Sequence, residues 1–226
     1  MNRLSIFFLL IIAPLLALFL AYLGFATAVT NPLGWFLLLT GAAYFLGVLY
    51  VVVIRHQRFW ESHLGGGVTQ QETGDCSFWL ISLAMIAVFY LSPIEYLYFP
   101  PVFPRTTLAK ITGVLLVILG TLLFVWARRT LGTSYSGHVS TEEGQDLVQA
   151  GPYRYIRHPA YAGYLLMALG ISKGYSSLVG LLSVVIFLVP VIVYRISVEE
   201  KLLSRHFGAA YQDYARSVKR LLPEIW

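Results

Sequence analysis

Four long, almost uncharged apolar stretches, Leu4–Val29, Leu33–Ile54, Phe78–Tyr98 and Leu108–Ala127, fill most of the first half of this chain. Each reaches the ~20 residues that a helix needs to cross the hydrocarbon core of a bilayer. A backbone surrounded by lipid must satisfy its own hydrogen bonds, so stretches of this kind fold as helices. The predicted fold class is therefore all-α, a polytopic transmembrane helical bundle. Charge is correspondingly scarce, with 12% of residues charged and 58% hydrophobic, whereas a soluble domain carries about 25% charge.

The breaks between the stretches are chemically plain. Asn31-Pro32 ends the first. A polar loop with Gly65-Gly66-Gly67 follows the second, and Pro100, Pro101 and Pro104 force an extended turn after the third. The apolar run at the N-terminus continues to Val29 without a clear small-residue cleavage site, so it is expected to be a retained first helix rather than a signal peptide. After Arg128-Arg129 comes the longest polar stretch, Thr130 to His158. Pro159 to Ile171 is apolar but covers only about 20 Å of a ~30 Å core. Lys173-Gly174 turns the chain, and Ser177 to Tyr194 returns.

This gives about six spans, with residues 1–129 holding the N-terminal transmembrane helices and residues 130–226 a more polar region. With a cytoplasmic N-terminus, only Arg105, Lys110 and Lys173 fall outside, and the remaining Lys and Arg lie inside. Six spans then put both termini in the cytoplasm, which satisfies the positive-inside rule. The same rule accounts for the net charge of +5. No basic polar domain with interleaved aromatics is present, so nucleic acid is not an expected partner. Cys76 is the one cysteine, which excludes an internal disulfide and a multi-cysteine metal site, and no metal is expected. From Glu199 onward, Leu203, Phe207, Ala210, Tyr214, Val218 and Leu221 recur at steps of three and four. That spacing predicts a C-terminal amphipathic helix on the cytoplasmic surface or against the bundle.

Two polar segments near the cytoplasmic end invite a small polar ligand. In the first, Gly151-Pro152 makes a tight bend and Pro159 suits the first position of a helix. The N–H groups at such a helix start attract a carboxylate or ribose oxygen. Tyr153 and Tyr161 offer flat faces to an adenine or a sulfonium. In the second, Arg195 and Glu199 are four apart and share a helix face. Glu199 can pair with a ligand amino group, and Arg195 can grip a carboxylate. Taken singly, each of these residues also reads as an interfacial anchor, an aromatic-belt tyrosine or a helix-start acid.

As an ordered set they carry more. Gly151, Pro152, Tyr153, Arg157, His158, Pro159, Tyr161 and Gly163, followed by Arg195, Glu199, Glu200 and Leu203 and then Phe207, Gly208, Tyr211 and Tyr214, resemble the isoprenylcysteine carboxyl methyltransferase family and the related membrane phospholipid methyltransferases. The resemblance covers roughly Arg128 to Pro223. It implies an S-adenosylmethionine-dependent methyltransferase in a multi-pass membrane location, the cell membrane or the endoplasmic reticulum. Residues 130–226 would be its cofactor-binding region. Carried over by motif position, the cofactor would be held by Gln145, Asp146, Leu147, Val148, Tyr153, His158, Pro159, Ala160, Tyr161 and Glu199. Arg195 would contact the acceptor, making it the catalytic candidate. Gln145 stands where the family usually has histidine.

The implied partners are membrane lipids and a lipophilic or lipid-linked methyl acceptor, foremost a carboxylate as in isoprenylcysteine. A phospholipid amine and a small thiol remain open alternatives. The rival class is an NADPH-dependent sterol-type membrane reductase, which is similar at this end but usually carries Arg-Asp where this chain has Glu199-Glu200. A non-catalytic membrane protein is the remaining reading. It is disfavoured because the span interiors are almost uncharged, whereas transporters place polar groups near mid-membrane.

Overall fold

The structure, a computed structural model, describes residues 12–50, 77–132 and 147–221. Among these residues the secondary structure is helical apart from one isolated bridge, Ile156 with Lys219. The helices are α1 (Ala13–Ala28), α2 (Leu33–Tyr50), α3 (Ser77–Tyr98), α4 (Thr107–Leu131), α5 (Pro159–Gly174), α6 (Leu178–Phe207) and α7 (Ala209–Ser217), with a 3-10 turn at Gly151–Arg154. The residues missing from the first two predicted spans, 4–11 and 51–54, lie outside the described residues. Three helices, Trp79–Tyr98, Thr107–Leu131 and Leu178–Phe207, are long and apolar enough to cross a membrane, and Ala13–Ala28 and Leu33–Gly47 are shorter apolar helices.

The fold divides into two compact units. One comprises Met1–Gly65, Ile86–Val114 and Ile171–Leu181; the other comprises Gly66–Met85, Leu115–Gly170 and Leu182–Trp226. In the first, α1 and α2 pack backbone against backbone. A Cβ at Gly24 would meet the Gly34 carbonyl oxygen at 2.8 Å, the close approach that small residues allow between apolar helices. Asn31, fully buried, closes the α1–α2 turn. Its amide donates to the Gly174 carbonyl at 2.8 Å, and its Oδ1 accepts the Leu33 N–H at 3.1 Å. Glu95 caps α6 from another helix, accepting from Ser177 Oγ at 2.5 Å, from the Leu178 N–H at 3.2 Å and from the Val179 N–H at 3.0 Å. The N–H groups of a first helical turn have no partner within the helix, and Glu95 supplies one.

The second unit departs from the sequence expectation along α6. The predicted span ended at Tyr194 with a separate tail helix from Glu199, but the helix runs unbroken to Phe207. Pro190 is accommodated by a π-helical turn at Val184–Leu188, where the Val189 N–H bonds back to the Val184 carbonyl. The wider turn relieves the clash that a proline ring makes with the carbonyl four residues earlier. The real break is Gly208, at φ 54° and ψ −124°, a backbone conformation that suits glycine. It resets the helical phase, so α7 buries Tyr211 and Tyr214 while Ala210, expected on the apolar stripe, is exposed.

Candidate functional site

The polar site residues expected from sequence lie within the second unit. The chain enters through Gly151, whose φ of +58° is left-handed and whose Cβ would meet Thr130 Oγ1 at 2.6 Å. A residue with a side chain is doubly disfavoured there. Pro152 is the second residue of the 3-10 turn, and its carbonyl accepts the N–H groups of Tyr155 and Ile156. Tyr153 is buried in this turn. Pro159 is the first residue of α5, as its missing N–H predicts. The carbonyl of the preceding His158 accepts the Ala162 N–H at 3.2 Å. A Cβ on Gly163 would come within 2.8 Å of the Gly120 carbonyl oxygen, so α5 lies close against α4.

Sequence had joined the His158 turn to the Arg195–Glu200 stretch, and the structure brings them into contact. His158, 4% exposed, sits between two carboxylates. Its Nδ1 lies 3.8 Å from Glu199 Oε2 and its Nε2 3.3 Å from Glu200 Oε1. The Tyr161 hydroxyl donates to Glu199 Oε2 at 2.9 Å and accepts from Arg195 Nε at 3.2 Å. Arg195, 5% exposed, also donates to Ser77 Oγ at 3.1 Å. The i, i+4 pair Arg195 and Glu199 therefore shares one tyrosine, as their common helix face requires.

The adjacent glutamates play unlike parts. Glu200 is engaged by the chain itself. Its Oε1 accepts Arg157 Nε at 3.0 Å and Nη2 at 2.6 Å, and its Oε2 accepts Arg220 Nε at 2.9 Å and Nη2 at 2.7 Å. Each guanidinium thus clasps one carboxylate oxygen through two N–H groups, and all four hydrogen bonds are charge-assisted. The Glu199 side chain is more open, 28% exposed against 12% for Glu200, and it meets the Tyr161 hydroxyl and the His158 ring.

The residues after α7 fold back on the same turn. The Arg157 N–H donates to the Lys219 carbonyl at 2.7 Å and the His158 N–H to the Arg220 carbonyl at 2.9 Å. Arg157 Nη1 reaches the carbonyls of Ala215 and Val218. The Tyr214 hydroxyl donates to the Tyr153 carbonyl at 2.6 Å. Burial pushes the Tyr214 phenol up to about 12, opposed in part by the Arg157 charge. Burial, reinforced by the negative charge of Glu200, likewise raises the Tyr211 phenol.

Of the site residues expected from sequence, His158, Tyr161, Glu199 and Arg195 meet in one polar cluster, and Tyr153 supports its base. Pro159 and Ala160 form the first turn of α5. Leu147 and Val148 are half-buried in the irregular segment leading into the 3-10 turn, while Gln145 and Asp146 lie outside the described residues. Sequence reasoning missed the hub at Glu200 and its partners Arg157 and Arg220. Arg157 and Glu200 stood in the motif without a role. Arg220 follows the last helix, where no periodicity marks it.

Residues 108–210 match the phospholipid methyltransferase family. The chain is 38% identical over 125 residues to the protein-S-isoprenylcysteine O-methyltransferase of Saccharomyces cerevisiae, covering 53% of this chain and 51% of that protein. It is 31% identical over 115 residues to protein-S-isoprenylcysteine O-methyltransferase A of Arabidopsis thaliana, covering 50% and 58% respectively. The chain thus spans just over half the length of these two relatives. A solved structure of the eukaryotic intramembrane Ras methyltransferase, isoprenylcysteine carboxyl methyltransferase, aligns over 93% of this chain and 74% of its own, with a TM-score of 0.54 at 22% identity, so the fold is shared. The resemblance read from the motif is borne out.

Proposed function

We propose that this chain is an integral membrane S-adenosylmethionine-dependent methyltransferase acting on a lipophilic acceptor, foremost a lipid-linked carboxylate of the isoprenylcysteine kind. The observation that carries this reading is the division of labour between Glu199 and Glu200. One carboxylate is neutralised by two arginines, and its neighbour is left partly open beside His158 and Tyr161. An α-amino group fits that pair: Glu199 Oε2 accepts from it, and His158 Nδ1, 3.8 Å away, accepts as well in the tautomer that donates Nε2–H to Glu200. The start of α5 adds the positive end of a helix dipole for the carboxylate of the same amino-acid moiety.

When bound, S-adenosylmethionine supplies an electrophilic methyl group on a sulfonium. The chain's own residues have a modest task, which is to hold nucleophile and methyl carbon in line at ~3–3.5 Å and keep water away. Glu199, His158 and Tyr161 hold the cofactor side. Arg195, joined to them through the Tyr161 hydroxyl, grips the acceptor carboxylate. An acceptor that is already anionic needs no base to activate it. We read the topology as six spans with both termini cytoplasmic, following the charge bias. Residues 130–226 form the cofactor-binding region, and the acceptor enters from the bilayer.

Two measurements on the purified full chain test this. Calorimetry with S-adenosylhomocysteine should show binding where NADPH shows none; NADPH binding alone would establish the reductase class instead. Transfer of a radiolabelled methyl group should favour a prenylcysteine over phosphatidylethanolamine or a small thiol. Preferential labelling of the phospholipid would move the chain to amine methylation, with His158 as the group that takes the proton.

A further inference from the structure

Residues 218–221 lie beyond the last helix and beyond the residues matched by the phospholipid methyltransferase family. They nevertheless hold the backbone that carries His158. Lys219 bridges Ile156 in parallel, its carbonyl accepts the Arg157 N–H, and the Arg220 carbonyl accepts the His158 N–H. So short a pairing does not sustain itself, because ordering a free segment costs more than a pair of exchangeable hydrogen bonds returns. Something else must hold the strap, and side-chain contacts do so, the first being Arg157 Nη1 on the Val218 carbonyl. In addition, Leu221 is buried, and the Arg220 guanidinium clasps Glu200 Oε2 through two N–H groups, on a side chain only 12% exposed. The Arg220 guanidinium is itself held more firmly protonated by that hydrogen bond.

We infer that Val218–Leu221 is a positioning strap for the site, latched by Arg220 on Glu200, and that it sets cofactor affinity without touching the cofactor. The same Glu200 carboxylate that takes Arg220 on Oε2 takes Arg157 and His158 on Oε1. Latching the strap therefore fixes both the backbone and the ring of His158. Release of Arg220 removes the carbonyls of Lys219 and Arg220 from the Arg157 and His158 amides. His158 Nδ1 then loses its fixed separation from Glu199 Oε2. The inference rests on the proposed reading, in which that separation receives the cofactor amino group.

The test uses the full chain in detergent micelles with Arg220→Met and the conservative Arg220→Lys. Calorimetry with S-adenosylhomocysteine is paired with hydrogen exchange of the peptide spanning residues 154–161. Arg220→Met should weaken S-adenosylhomocysteine binding about tenfold, the worth of one charged hydrogen bond held out of place. It should also speed exchange at the Arg157 and His158 amides while α1 to α4 keep their protection. Arg220→Lys, which retains a charged donor to Glu200, should recover most of both. Unchanged affinity in Arg220→Met overturns the strap and leaves the methyltransferase reading standing. Loss of protection throughout the protein, or a loss of affinity that Arg220→Lys does not restore, makes Arg220 a residue of general stability and also overturns it. If the unaltered chain binds no S-adenosylhomocysteine, the functional reading fails and the inference falls with it.

Discussion

Replacing either glutamate of the acidic pair by glutamine is the same chemical change at neighbouring positions, and the structure expects opposite outcomes. Glu200 accepts two guanidinium forks and a histidine, and its side chain is 12% exposed. Glu200→Gln removes the counter-charge of Arg157 and Arg220 and turns an amide donor toward one of them. Breaking a buried pair costs about 3–5 kcal/mol. The Arg220 side chain is 35% exposed, so water recovers part of its loss and about 3 kcal/mol is the better figure. At about 2–4 °C per kcal/mol for a chain of this size, the melting temperature should fall by about 6–12 °C. Glu199 is 28% exposed, and a glutamine there still accepts the Tyr161 hydroxyl. Its loss should cost under about 1 kcal/mol of stability. It should, however, forfeit a charged hydrogen bond to the cofactor amino group, about 1.5–3 kcal/mol or roughly ten- to a hundredfold in affinity. Tryptophan-fluorescence melting in detergent and calorimetry with S-adenosylhomocysteine read the two quantities separately. A Glu199→Gln protein that melts well below Glu200→Gln, or that binds S-adenosylhomocysteine at full strength, would refute the division of labour.

Other consequences of the geometry are checkable. Gly163→Ala puts a methyl 2.8 Å from the Gly120 carbonyl oxygen and 3.1 Å from Phe124 Cβ. The α4–α5 contact must open, at a cost of about 1–3 kcal/mol, and an unchanged melting temperature would show that these helices are not tightly packed. Tyr214 is neutral in the folded chain up to about 12, against an ordinary 10.0. The stability this contributes is complete below pH 10 and is lost as the pH rises toward 12. Tyr214→Phe should flatten that alkaline limb of a pH–melting profile, and an identical slope would contradict the burial. Glu95→Gln weakens the cap on α6 in the other unit and should lower stability by about 1 kcal/mol. Its S-adenosylhomocysteine affinity should match the unaltered chain, and a matching loss of affinity would mean that the cap shapes the site.

What the sequence discloses depends on how far a spacing argument can be carried before the backbone changes phase. Arg195 and Glu199 lie together in Val189–Phe207, after the π-helical turn, so their four-residue spacing keeps its meaning and both reach Tyr161. Pro159 acts at the point where it stands, and the Asn31-Pro32 break needs no long-range information. Past Gly208 the helical count restarts, and for that reason the stripe projected through Ala210 belongs to Tyr211. Arg220 lies where there is no period to read at all, and its partner Glu200 is 20 residues away. The acidic pair is the instructive case. Consecutive helix positions differ by about 100°, so Glu199 and Glu200 point to different sides and share only the His158 ring between them. A sequence motif records only that both are acidic. Arg157 and Arg220 arrive on one side and Tyr161 and Arg195 on the other, which ties Glu200 into the scaffold and, in the proposed function, leaves Glu199 to meet the cofactor.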